Sequence, residues 1–101
     1  MADHITFFRM KAQPGKRQAV IDHFAQDEEL TRESKGFVRA IVVASNDDPD
    51  EVMAGVRFDS AENYNANSND PRTGAWYQGL RAMLASDPEW LNGTLARELI
   101  R

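Results

Sequence analysis

Two apolar runs on either side of an acidic turn constrain this chain more than any other stretch. Phe37 to Ala44 and Val52 to Phe58 flank Ser45-Asn46-Asp47-Asp48-Pro49-Asp50. Asn and Asp favour turns because they hydrogen-bond their own backbone, and Pro fixes φ. The pattern reads as a β-hairpin with a long acidic loop. A strand with one wet face alternates apolar and polar side chains, and these two do not. By strict alternation Phe37, Ile41 and Val43 oppose Val38, Ala40, Val42 and Ala44, while Val52, Ala54, Val56 and Phe58 oppose Met53 and Gly55. Both faces therefore need cover. An antiparallel sheet in a chain of 101 residues can cover one face with its own helices, which leaves little chain for the other. The simplest cover is a second copy, so a homodimer is expected.

That length fits a single domain, residues 1–101. There is no cysteine, which removes disulfides, thiolate metal sites and thiol nucleophiles. His4 and His23 are the only histidines and belong to no His-x-His or Glu-x-x-His pattern, and no Gly-rich phosphate loop is present. No metal site and no tightly bound metal, haem or flavin is expected. The net charge of −4 is spread without a dense Lys/Arg patch, which argues against nucleic acid as a partner. No apolar run approaches the ~20 residues of a membrane span, and the opening Met1-Ala2-Asp3-His4 lacks a signal-peptide pattern. The expectation is a soluble, cytoplasmic protein with no membrane partner.

In chain order, Ile5 to Ala12 reads as a first strand with apolar groups on both faces. After Gln13-Pro14-Gly15, a helix is expected from Lys16 to about Lys35, stopped by Gly36. At about 100° per residue, Val20, His23, Phe24, Asp27 and Leu30 share its inner stripe. Beyond the hairpin, Asp59 with Glu62 resembles a capping box opening a short, Asn-rich helix that Asp70-Pro71 interrupts. A further helix is expected from Thr73 to Ala85, then a last strand from Gly93 to Ile100. The order β-α-β-β-α-β defines a ferredoxin-like α+β fold, a four-stranded antiparallel sheet with its helices on one face.

The residues also carry a family resemblance. A strand, Pro14-Gly15-Lys16 opening a helix, Gly36-Phe37 opening a hairpin, and Arg57-Phe58-Asp59-Ser60-Ala61-Glu62 leading to Trp76-Tyr77 together resemble the antibiotic biosynthesis monooxygenase-like family. The resemblance spans nearly the whole chain and implies a dimeric α+β barrel with a ligand cavity between each sheet and its own helices. It also implies cofactor-independent oxygenation of a planar phenolic, anthrone or quinol-type molecule as the leading activity. A non-catalytic dimer that binds a small ligand or supports a pathway partner is the alternative. The haem-degrading branch is not expected, because the first strand has no Asn and no His follows His23.

Candidate site residues follow from side-chain chemistry. His23 and Asp27, four apart, form a pair in which a carboxylate can orient an imidazole that takes a proton from a phenol or enol. They can equally bond each other structurally. Phe24, Phe58, Tyr64, Trp76 and Tyr77 can wall a pocket for a flat ligand, or pack as core. Arg57, like Arg39, lies in an apolar strand and needs an anion, either a substrate oxyanion or an intersubunit or cross-strand salt bridge to Glu51, Asp59 or Glu98. The amides of Asn63, Asn65 and Asn67 can meet a substrate carbonyl or cap their own helix.

Overall fold

The computed structural model describes residues 2–101. Strands β1 (His4–Lys11), β2 (Phe37–Ala44), β3 (Glu51–Phe58) and β4 (Glu89–Thr94) form one sheet in the order β2-β3-β1-β4, with every neighbouring pair antiparallel. Helices α1 (Arg17–Ala25) and α2 (Glu28–Glu33) join β1 to β2, and α3 (Ala61–Ser68) and α4 (Pro71–Arg81) join β3 to β4. This is the ferredoxin-like arrangement expected from the order of elements.

Period-two alternation sorts the strands. Thr6, Phe8 and Met10 of β1 and Val52, Ala54 and Phe58 of β3 are buried beneath the helices, and Phe8, Met10, Val52 and Ala54 cluster there with Val20 of α1, Leu80 of α4 and Leu84. The end of α4 is pinned to β1 by the Gln13 N–H on the Met83 carbonyl (2.9 Å) and the Ala85 N–H on the Lys11 carbonyl (2.8 Å). Thr6, fully buried, donates its hydroxyl proton to Asn92 Oδ1 (2.7 Å). That leaves its oxygen to accept from His4 Nε2 (2.8 Å). On the opposite face Phe7, Ile41, Val43 and Leu91 are 51, 46, 40 and 54% exposed, an apolar patch that no element of the chain covers.

The acidic connection is well specified. Ser45 Oγ accepts from the Asp47 and Asp48 N–H groups (both 3.2 Å). The Arg17 guanidinium donates to the Ser45 and Asp48 carbonyls (2.8 and 3.0 Å), and Lys11 pairs with Asp48.

Several boundaries differ from the sequence reading. The single helix expected from Lys16 to Lys35 is two helices, because the chain breaks at Gln26 and Asp27. The N-cap of α3 is Ser60, whose Oγ accepts from the Asn63 N–H (3.1 Å), while Asp59 accepts from the Asn63 side-chain amide (2.8 Å). Pro71 starts α4 instead of merely interrupting a helix: Asp70 caps it through the Arg72 N–H (2.9 Å), and Pro at the first helical position loses no hydrogen bond. The last strand is Glu89–Thr94, not Gly93–Ile100. Trp90 and Leu91 pair with Phe8 and Phe7, and beyond Thr94 no strand partner remains. Phe37 does not share the face of Ile41 and Val43 either. A bulge between Phe37 and Arg39 shifts the register, so Phe37 pairs with Phe58 and packs edge-on against it at 5.7 Å.

Gly36 sits at the turn into β2 with φ of +80°, where a Cβ would lie 2.6 Å from Asn63 Nδ2 and would also strike Asp59. Both the backbone and the neighbours require glycine. Gly36→Ala is expected to lower stability by roughly 1–3 kcal/mol, read as a fall in urea midpoint at unchanged slope. An unchanged midpoint would contradict this account of the turn.

Candidate functional site

Between the sheet and the helices lies a cavity of about 910 Å³, large enough for a polycyclic molecule. Its floor is Ala54 and Val56 of β3 with Ala40 and Val42 of β2. Seven aromatic side chains border it: Phe8, Phe24, Phe37, Tyr64, Trp76, Tyr77 and Trp90. They brace one another, with Phe8 against Trp90 at 4.9 Å, Phe24 edge-on to Trp76 at 5.1 Å, and Tyr77 against Trp90 at 6.0 Å. Polar groups enter mainly from α2 and its approach, through Asp27, Glu28, Thr31 and Arg32, and from the opposite rim through Asn67 and Thr73.

His23 and Trp76 tie α1 to α4 through two reciprocal bonds. His23 Nε2 lies 2.7 Å from the Trp76 carbonyl, and Trp76 Nε1 donates to the His23 carbonyl at 3.0 Å. A carbonyl only accepts, so Nε2 carries a proton. The two rings stack at 5.5 Å. Gly79 makes room for the imidazole, since a Cβ there would fall 2.8 Å from His23 Cε1. The tie also holds Trp76 against the cavity, whereas His23 itself does not border it.

Asp27 does border the cavity. It occupies the N-cap position of α2, yet its carboxylate accepts no capping bond and its φ and ψ of −112° and 10° are not those of a capping residue. Among the described residues the carboxylate has no hydrogen bond or salt bridge. Burial pushes its pKa up from the ordinary aspartate value, against the pull of His23 and Arg72 and with a smaller push from Asp70.

The remaining candidates divide between the two faces of the sheet. Phe24, Tyr64, Trp76 and Tyr77 wall the cavity. Phe58 is fully buried beneath it, against Phe37 and Tyr64, and does not reach it. Arg57 alternates onto the opposite face, where Asp3 (2.6 Å) and Glu98 (2.7 Å) hold its guanidinium, while Arg39 on the edge strand β2 also borders the cavity. Arg57 is therefore not placed to meet a ligand in the cavity. Asn67 borders the cavity with its Oδ1 2.8 Å from the Ser34 hydroxyl, while Asn63 is spent on Asp59. Sequence reasoning missed Phe8 and Trp90 as walls. The alternation of Trp90, Asn92 and Thr94 against Leu91 and Gly93 marks the strand and its inner face. No three His, Asp or Glu side chains converge as a metal site among the described residues, and no helix is long and apolar enough to cross a membrane.

This fold recurs in solved proteins. The chain superposes on SnoaB, a cofactor-independent oxygenase from Streptomyces nogalater, with a TM-score of 0.89 at 17% identity over 100% of both chains. A monooxygenase from the ActVA-Orf6 gene of Streptomyces coelicolor, solved with the ligand nanaomycin D, gives 0.87 at 20% identity over 99% of this chain and 93% of that one. The NE2512 protein of unknown function from Nitrosomonas europaea gives 0.81 at 22% identity over 100% and 97%. At these identities the likeness establishes the fold. No curated protein matches by sequence. The antibiotic biosynthesis monooxygenase family profile matches residues 4–78, and the chain belongs to that family.

Two outcomes test the site's construction. Gly79→Ala is expected to lower the melting temperature although Ala is the better helix former by about 1 kcal/mol, because the added methyl displaces His23; a rise would contradict the tie. Asp27→Asn is expected to raise the melting temperature slightly at pH 7. The folded-state pKa lies above the unfolded value, so the charged form costs stability above the folded pKa and the cost disappears as pH falls below the unfolded value. The gain should vanish near pH 3, and a loss of stability at pH 7 would contradict an unpaired carboxylate.

Proposed function

We propose that the protein is a cofactor-independent monooxygenase that oxidises a planar phenolic, anthrone or quinol-type compound in the cavity between sheet and helices. The observation that carries this reading is an aromatic-walled cavity with a half-buried, unspent carboxylate, Asp27, beside the exposed Glu28 at its polar end. Family membership and the likeness to SnoaB and to the nanaomycin D-bound monooxygenase support it. Flat aromatic walls bury and align a polycyclic ring system, and a proton acceptor converts it to an enolate or phenolate that oxygen can oxidise. For an anthrone the balance closes without an external reductant: anthrone and one O₂ give the anthraquinone and one water. The base is drawn from the polar groups that border the cavity, and Phe24, Tyr64, Trp76 and Tyr77 hold the rings.

The working form in this reading is a homodimer joined through the uncovered sheet face. Phe7, Ile41, Val43 and Leu91 supply the apolar contact, and Leu99 and Ile100, 98 and 77% exposed, gain cover from the same partner. Ile41→Asp is expected to convert the dimer to a folded monomer, read by light scattering and circular dichroism. A wild-type monomer at micromolar concentration would contradict the assembly.

Oxygen uptake by metal-chelated protein with 9-anthrone tests the activity. Saturable uptake with anthraquinone formation, above that of heat-inactivated protein, is the expected result. Binding with no uptake above that background would overturn the oxygenase reading in favour of a ligand-binding module.

A further inference from the structure

We infer that the Asp27 carboxylate is the group that takes the substrate proton, and that His23 is a tie between helices and not the base. The inference rests on the oxygenase reading of the same cavity and assigns its first chemical step.

The helix break decides which residue is available. In one continuous helix His23 and Asp27 would lie a turn apart and serve as one unit. Here α1 ends at Ala25 and α2 begins at Glu28, so the two side chains are separately committed. His23 spends Nε2–H on the Trp76 carbonyl and lies with its ring between Trp76 and Gly79, away from the cavity. An imidazole whose proton is held by a carbonyl can accept only at Nδ1, and a base must come within hydrogen-bond reach of the proton it removes. Asp27 has the reverse character: it borders the cavity half-buried, where its neighbour Glu28 is exposed to water, and neither its own helix nor a cation claims its oxygens.

The surrounding charges suit that task. His23 on α1 and Arg72 on α4 favour the carboxylate and Asp70 disfavours it, while Glu28 and Arg32 share its rim of the cavity. Burial outweighs the cations, so Asp27 is a stronger base than an exposed aspartate. In the step itself the substrate C–H or O–H bond breaks, its electron pair stays on the substrate as enolate or phenolate, and the proton ends on an Asp27 Oδ. Total charge in the cavity is unchanged, since one anion replaces another.

Proton transfer can be read apart from oxygenation. Under argon, 9-anthrone mixed with the protein is expected to give the absorbance of its enolate anion. Asp27→Asn should slow anion formation about 100- to 10,000-fold while anthraquinone, which has no proton to lose, still quenches tryptophan fluorescence with wild-type affinity. His23→Gln should form the anion within a few-fold of the wild-type rate even where its melting temperature falls, and Asp27→Glu should recover part of the loss. Wild-type-like anion formation by Asp27→Asn, its abolition in folded His23→Gln, or no anion with wild-type protein would overturn the inference. Anion formed under argon without oxygen uptake in air would overturn the oxygenase reading alone.

Discussion

The helical layer is narrower than the sheet beneath it, and most of the molecule follows from that mismatch. Short helices bury the inner faces of β1 and β3, where Thr6, Met10, Val52 and Phe58 are sealed. The flanks stay open: Val42 on β2 and Trp90 on β4 remain 38 and 44% exposed on the helix side. A core that closed over all four strands would leave no room for a ligand. Here the uncovered width becomes a cavity, and aromatic side chains fill its walls because they cover large area without closing it.

Such a cavity needs its walls fixed from behind, and α1 and α4 share few contacts besides the His23–Trp76 tie. Two hydrogen bonds and a stacked ring pair hold Trp76 at the cavity surface, with Gly79 admitting the imidazole. The same region breaks the chain between α1 and α2, which exposes Asp27 to the cavity without a capping duty. A half-buried, unpaired carboxylate weakens the fold, as does a mid-helix glycine. Both are local costs accepted where the cavity is built.

How far the chain was legible can be argued from particular residues. Strands β1, β2 and β3 and the apolar character of both sheet faces were visible because period-two apolar patterns depend only on local geometry. Phe24, Tyr64, Trp76 and Tyr77 were recognisable as aromatic candidates, though periodicity alone did not separate wall from core. The bulge at Phe37 was not legible, since one extra residue reverses alternation without a compositional mark. The division of the long helix was hidden too, since Gln26 and Asp27 are not strong breakers. Arg57 read as a possible anion ligand because its partners, Asp3 and Glu98, lie far away in sequence. Leu95, Leu99 and Ile100 suggested a strand by composition, while the pairing positions beside β1 had already been taken by Trp90 and Leu91.

The two tryptophans of the chain, Trp76 and Trp90, both border the cavity, which makes their indole N–H signals direct reporters of its occupation. A titration of ¹⁵N-labelled protein with anthraquinone-2-sulfonate, followed by heteronuclear NMR, tests the central claim that this cavity takes a flat polycyclic ring system. Saturable shifts of both indole signals, with the Gly93 and Leu91 amides of the outer strand less perturbed than those of Ala54 and Val56 on the floor, are the predicted result. Saturable binding that moves neither indole would contradict it.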